Sequence, residues 1–295
     1  MSKEIPIVFV HIGGAPPAYL RDAVRQARTW NPDAPIVCIS SVTETYGFGE
    51  RWVAADTLPV GATHARFKST TLLPGNGFWQ WTTERLFVLE EWMRHEGVGE
   101  CIHLENDIMV YQTFSDIREA LATSSPGLST TFQGQGAKMD MMRLCFSVLY
   151  CSSVDALSNF LLYLASAPSS VNEMERGGLY WLDTPEECSY LPTAPVGVAL
   201  KDEMCRHWYE GTGGFPGLFD SSVYGQYLGG SDPAHTNYGP GFVNPDCDFR
   251  TDQFIYKWDK DEAGRRYPVI QDTGGREWKL MNLHIHSKGL AAFSS

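Results

Sequence analysis

The sequence contains no uninterrupted apolar run of the roughly 18 residues that a membrane-spanning helix needs, so no such helix is expected. Positive charge is scarce. Against 35 Asp and Glu stand 23 Lys and Arg, and the net charge of −12 repels phosphate backbones, so nucleic acid is not an expected partner. There is no Cys-x-x-Cys pair. The seven cysteines (Cys38, Cys101, Cys145, Cys151, Cys188, Cys205, Cys247) are scattered, mostly in apolar runs. Buried free thiols in a reducing compartment are expected, in place of a disulfide framework or a zinc knuckle. Repeats, low-complexity segments and blocks of like charge are missing. No linker divides the 295 residues, so one domain over 1–295 is expected. The start, Met1-Ser2-Lys3-Glu4-Ile5-Pro6, enters a strand-like run with no signal-peptide core, and a cytoplasmic location is expected. Core material is present in quantity: 43% of residues are hydrophobic and 13% aromatic, enough for a sizeable buried interior.

Ile5-Pro6-Ile7-Val8-Phe9-Val10-His11 is an apolar run closed by Gly13-Gly14, which reads as a buried strand and a glycine turn. Pro16 and Pro17 open a helical stretch from Tyr19 to Trp30 with Leu20, Val24 and Ala27 on one face, and Asn31-Pro32 stops it. Pro35 to Ser41 is a second buried strand. This strand–helix–strand opening implies an α/β fold with a mostly parallel central sheet flanked by helices. Asn76 to Arg94 carries Leu86, Leu89 and Met93 on one face, with Thr82 or Thr83 near its cap, and reads as an amphipathic helix. Cys101-Ile102-His103-Leu104 then forms a strand, Ile108 to Tyr111 resumes an extended run, Leu144 to Cys151 is a further strand and Val154 to Ala165 a further helix. From Pro168 to Pro245 the chain is rich in Gly, Pro and aromatics, the composition of a shaped binding region.

The sharpest chemical signal is Glu105-Asn106-Asp107 at the carboxyl end of the 101–104 strand. Two carboxylates at the mouth of a buried strand are costly unless a cation sits with them, and a hard divalent ion fits that need. In open α/β sheets ligands collect at this edge. A solvated acidic turn is the other reading of the same three residues.

The βαβ opening, a helix with Arg near its start, and the hydrophobic strand–acid–x–Asp–hydrophobic pattern together resemble the GT-A class of nucleotide-sugar glycosyltransferases. The resemblance covers roughly residues 5–165 by architecture, the nucleotide-binding half. Residues 166–295 would then line the acceptor and sugar pocket and supply the tail. It implies that Glu105 and Asp107 hold Mn²⁺ or Mg²⁺ against the diphosphate of a nucleoside-diphosphate sugar, UDP-linked by frequency, with a carbohydrate acceptor. Asn106, between the two acids, falls among the donor contacts.

Several GT-A families end with a His that completes the metal site and a nearby cation for the diphosphate. Met281-Asn282-Leu283-His284-Ile285-His286-Ser287-Lys288 is similar to that arrangement, with His286 the first choice of ligand, His284 the second, and Lys288 the cation. His-x-His is also a zinc signature of amidohydrolases, but those need further ligands downstream, and only nine residues follow His286. The resemblance also makes His11, Ile12 and Gly13 nucleotide contacts and Arg85 a phosphate contact; a plain tight turn and an Arg paired to Glu84 or Glu91 are the alternatives. The run from Phe219-Asp220 to Gly225-Gln226-Tyr227-Leu228-Gly229-Gly230 resembles sugar-pocket segments, so Asp220 and Gln226 are candidates for donor-sugar hydroxyls, with an Asp cap on a helix 221–228 as the other reading. An inverting enzyme needs a general base, for which Asp220, Asp248 and Asp252 are all eligible. Other functions that fit the same sheet are a nucleotidyl- or phosphotransferase and a non-catalytic carbohydrate-binding protein.

Overall fold

A computed structural model describes residues 4–71, 73, 77–124, 127–134, 143–166, 172–211, 213–232 and 238–295. The opening is the expected βαβ unit: β1 (Ile7–His11), α1 (Leu20–Trp30) and β2 (Ile36–Ser40), followed by the edge strand β3 (Arg51–Ala54). β1 and β2 are apolar almost throughout because both of their faces are covered. Then come α2 (Ala62–Thr70), α3 (Phe78–Glu96), β4 (Cys101–Leu104), β5 (Ile108–Val110), α4 (Arg118–Ser124), β6 (Leu128–Phe132) and β7 (Leu144–Cys151). The second half adds α5 (Val154–Ser166), α6 (Glu173–Asp183), β8 (Cys188–Leu191), α7 (Arg206–Glu210), α8 (Val223–Gly229), a three-stranded sheet of β9 (Ile255–Lys260), β10 (Arg266–Gln271) and β11 (Glu277–Lys279), and finally β12 (Asn282–His284).

The central sheet has seven strands in the order β3-β2-β1-β4-β7-β6-β8, and α1, α3, α5 and α6 pack on it. Its pairings are parallel except β4·β7 and β6·β7, so β7 alone runs against the rest. The mixed α/β class and mostly parallel sheet are as expected. Strand β8 lies in the second half of the sequence yet completes the sheet begun by the first, and one cluster of buried apolar side chains runs from Ile5 to Leu290.

Two local details differ from the sequence reading. Helix α3 begins after Gly77, whose φ of +88° reverses the chain, and not at a threonine cap. Thr82 and Thr83 sit inside the helix, where Thr82 bonds the Trp79 carbonyl and Thr83 bonds Glu173. Asn76, the expected start, lies outside the described residues. The extended run at 108–111 joins no central strand. It forms a separate two-stranded ribbon with the tail, β5 against β12. Among the described residues no helix is long and apolar enough to cross a membrane.

Candidate functional site

Strand β4 delivers the turn Glu105–Asp107 to the carboxyl edge of the sheet. Two backbone bonds hold the turn: the Glu105 N–H donates to the Ser147 carbonyl on β7 at 2.9 Å, and Ile108 N–H to the Glu105 carbonyl at 3.2 Å. The antiparallel register of β5 and β12 sets His284 opposite Ile108, one residue past Asp107. The His284 ring therefore lands on the acids. Its Nε2 lies 3.2 Å from Glu105 Oε2 and 3.2 Å from Asp107 Oδ2. One ligand atom from each of Glu105, Asp107 and His284 falls within a 4.8 Å span, the one such group of His, Cys, Asp and Glu found among the described residues.

His286, the first-choice ligand of the tail, is outside this group. The strand ends at His284, so the alternation that would put both rings on one side stops there. The His286 ring instead sits 4.3 Å from that of His284, centroid to centroid, with Nδ1 taking a hydrogen bond from Gln226 Nε2 at 3.0 Å. Beyond it the chain turns through Lys288, a non-glycine residue with φ +63°, and this turn lays the Lys288 ammonium on Asp107 Oδ2 and 5.6 Å from the centre of the Tyr19 ring. A left-handed lysine costs energy, and the contacts around it hold it there.

The charges are strongly coupled. Burial pushes the Asp107 carboxyl up, but the His284 ring and Lys288 outweigh it, and Asp107 ionises well below its ordinary range. For Glu105 the same opposition is won by the Arg85 guanidinium and His284, again lowering the pKa. Burial disfavours charge on His284, yet Asp107 and Glu105 raise it well above the ordinary histidine value. His286 goes the other way, down to about 3, through burial and then the positive His284. The His284 ring and the Lys288 ammonium are the partners that face the two acids.

Arg85 is not left free for a phosphate, and it is not paired to Glu84 or Glu91. Its Nη2 donates to Glu105 Oε1, and Glu173 Oε1 lies 3.9 Å away. It positions a carboxylate. Asn106 Nδ2 donates to His11 Nδ1 at 3.0 Å, which ties the acid turn to the end of β1. Burial lowers the His11 pKa, in keeping with an accepting ring nitrogen. Ile12 and Gly13 follow on the loop above. Gly13 has φ +88°, a backbone that strains any residue with a side chain, and it packs against the Trp81 indole.

The three candidate bases are committed elsewhere. Asp220 is fully buried and takes three backbone N–H groups: Tyr224 at 3.0 Å, Gly225 at 2.8 Å and His284 at 2.9 Å. Two of these donors lie in the first turn of α8, close to the capping alternative, and the third lies on β12. Burial raises the Asp220 pKa while those donors oppose the rise. Asp248 is buried and accepts from the Tyr209 hydroxyl at 2.8 Å, and Asp252 is paired with Arg250 on the surface. Asp220 thus anchors His284 where a donor-sugar contact was expected, and none of the three presents an open carboxylate beside the acid turn.

Sequence reasoning missed Glu173, Asn244 and Tyr19. Glu173 is buried beside Arg85 at the start of α6, Asn244 donates to Gln226 at 2.9 Å, and Tyr19 underlies Lys288. No local pattern marks them, because each gains its place by packing against elements distant in the chain.

No family profile matches the chain, and no curated relative does. Solved glycosyltransferases are similar in outline. Mouse xyloside xylosyltransferase 1 in its apo form aligns at a TM-score of 0.45 and 10% identity, over 64% of this chain and 85% of that one. The galactosyltransferase LgtC, in complex with donor and acceptor sugar analogues, aligns at 0.41 and 15% identity, and an active-site mutant of LgtC at 0.43 and 15%; each covers 64% of this chain and 73% of the other. At those scores the likeness assigns no role to any residue, and the functional reading rests on the side chains.

Proposed function

We propose that this chain is a metal-dependent glycosyltransferase of GT-A type, acting as one domain, that moves a sugar from a nucleoside-diphosphate sugar to a hydroxyl acceptor, with UDP the first donor to test. One observation carries the reading: Glu105, Asp107 and His284 converge at the carboxyl edge of the sheet with the Lys288 cation beside them. Two carboxylates and an imidazole form an oxygen-rich donor set suited to Mn²⁺ or Mg²⁺, and three protein ligands leave positions for phosphate oxygens. The bound ion would offset the charge that grows on the diphosphate as the sugar leaves.

The protein's own groups then divide the remaining work. Arg85 fixes the rotamer of Glu105 and keeps it ionised. Lys288, held over Tyr19, supplies a second positive charge that can turn from Asp107 to a phosphate oxygen. Asp220 holds the His284 backbone, so the imidazole meets the acids without searching. Seven free, buried cysteines support work in a reducing compartment, and we include the cytoplasm in the proposal.

The test is a hydrolysis and transfer screen over UDP-, GDP- and other nucleotide sugars, with Mn²⁺, with Mg²⁺ and with chelator. Metal-dependent release of nucleoside diphosphate from at least one donor is expected. Binding of free glycan with indifference to every nucleotide would replace the enzyme with a carbohydrate-binding protein, and cleavage within the diphosphate, releasing sugar 1-phosphate, would point to nucleotidyl transfer.

A further inference from the structure

A chain of four hydrogen-bonding groups runs from the loop before β9 to the tail, and its direction is determined by its first member. The backbone N–H of Asp246 can only donate, and it donates to Asn244 Oδ1 at 2.9 Å. That fixes the Asn244 amide, whose Nδ2 then donates to Gln226 Oε1 at 2.9 Å. With its oxygen taken, Gln226 turns its own NH₂ to His286 Nδ1 at 3.0 Å. An amide nitrogen has no lone pair to offer, so Nδ1 must be the acceptor, and a neutral ring then carries its proton on Nε2.

We infer that His286 is a fixed Nε2–H donor for a phosphate oxygen of the donor substrate, not a metal ligand, and that Gln226 and Asn244 are the residues that set its tautomer. The ring is partly exposed, stands 4.3 Å from the His284 ring, and shares the tail turn with the Lys288 ammonium. A ligand held at Glu105, Asp107 and His284 would have this ring and the Lys288 ammonium as neighbours, one N–H donor and one cation, a pair suited to two oxygens of a diphosphate. A ring with Nδ1 engaged and Nε2 protonated has no lone pair left for a metal. The tautomer follows from the hydrogen-bond chain alone; the identity of the ligand rests on the function proposed above.

The two parts are tested separately. Histidine ¹⁵N–¹H correlation spectra of the whole protein, with the His286 signal assigned by His286→Gln, report the tautomer without any ligand. The Nε2–H form is expected in the wild type. In Gln226→Glu, which offers His286 only acceptors, the proton should move from Nε2 to Nδ1. A wild-type ring protonated on Nδ1 would overturn the inference. Calorimetry with UDP, GDP, CDP and ADP, each with Mn²⁺, tests the ligand. Gln226→Glu should weaken the diphosphate that binds by about tenfold, the loss of one hydrogen bond to a charged group, with Mn²⁺ binding alone little changed. Unchanged diphosphate affinity in a variant whose tautomer has switched would also overturn it. If the wild type binds none of the four, the functional reading and the phosphate contact fall together, while the spectra still decide the tautomer.

Discussion

Asp107 meets two side chains at one carboxylate oxygen, His284 Nε2 at 3.2 Å and the Lys288 ammonium. Asp107→Asn keeps its volume and removes its charge. Turnover should fall by roughly 10²-fold or more, the scale of one strong electrostatic contact in a transition state, as read in the donor-hydrolysis assay. His284 gives a second prediction, through pH. Its pKa is raised well above the ordinary value, so at neutral pH the ring carries a proton that a metal must displace. Mn²⁺ affinity should therefore rise with pH until the raised pKa is passed. About one proton should be released per ion, measured by calorimetry in two buffers of different ionisation heat. Release of no proton would remove His284 from the ligand set. In the metal-free protein the sign for stability is the reverse. A raised pKa favours the fold fully below the unfolded-state value and loses that contribution as pH climbs through the folded-state one.

Helix α8 and strand β12 form the element that aims the histidine. A Cβ at Gly225 would lie 2.0 Å from the His284 carbonyl oxygen, and Asp220 bonds the N–H groups of Gly225 and His284 with the same carboxylate oxygen. Gly225→Ala should thus push the strand away, costing about 1–3 kcal/mol in urea unfolding and weakening Mn²⁺ binding in the same variant. The turn after β12 separates strain from function. Lys288 holds a left-handed backbone, φ +63°, while its ammonium pairs with Asp107. Lys288→Gly should leave stability within about 1 kcal/mol, since relief of left-handed strain offsets the lost ion pair, yet affinity for UDP with Mn²⁺ should fall. A large loss of stability with unchanged nucleotide affinity would make the lysine purely structural.

Across the whole molecule the tail is core before it is site. Met281, Leu283 and Ile285 are fully buried, β12 pairs with β5, and the last residues clamp onto α1, where Gln26 and Trp30 both donate to the Ser295 hydroxyl. Packed in this way, the tail is no lid that orders only on ligand binding, and it cannot be cut at Leu280 without harm to the rest of the fold. Each buried side chain contributes about 1.5–3 kcal/mol against a total stability of about 5–15 kcal/mol, so truncation at Leu280 should abolish cooperative thermal unfolding and the near-ultraviolet dichroism of a packed core. Hydrogen exchange should find residues 282–285 protected even without nucleotide.

Local physics made a good part of this protein legible in its sequence. The apolar runs at 7–11 and 36–40 and the helix between them specify a βαβ unit, because strand and helix periods are short-range properties. The acid turn is legible too, since a strand of four buried residues ending in Glu105-Asn106-Asp107 leaves those acids at a sheet edge. Tertiary structure decided the rest. Whether His284 or His286 meets the acids depends on the register of two strands more than 170 residues apart, and spacing within the tail carries no information about that partner. Arg85 was visible as a cation on a helix, but its commitment to Glu105 comes from the packing of α3 beside β4. Asp220 could be read as a cap or as a sugar contact from its neighbours alone. The third backbone donor, from His284, exists only after the chain has folded back on itself, and that bond makes it the anchor of the site.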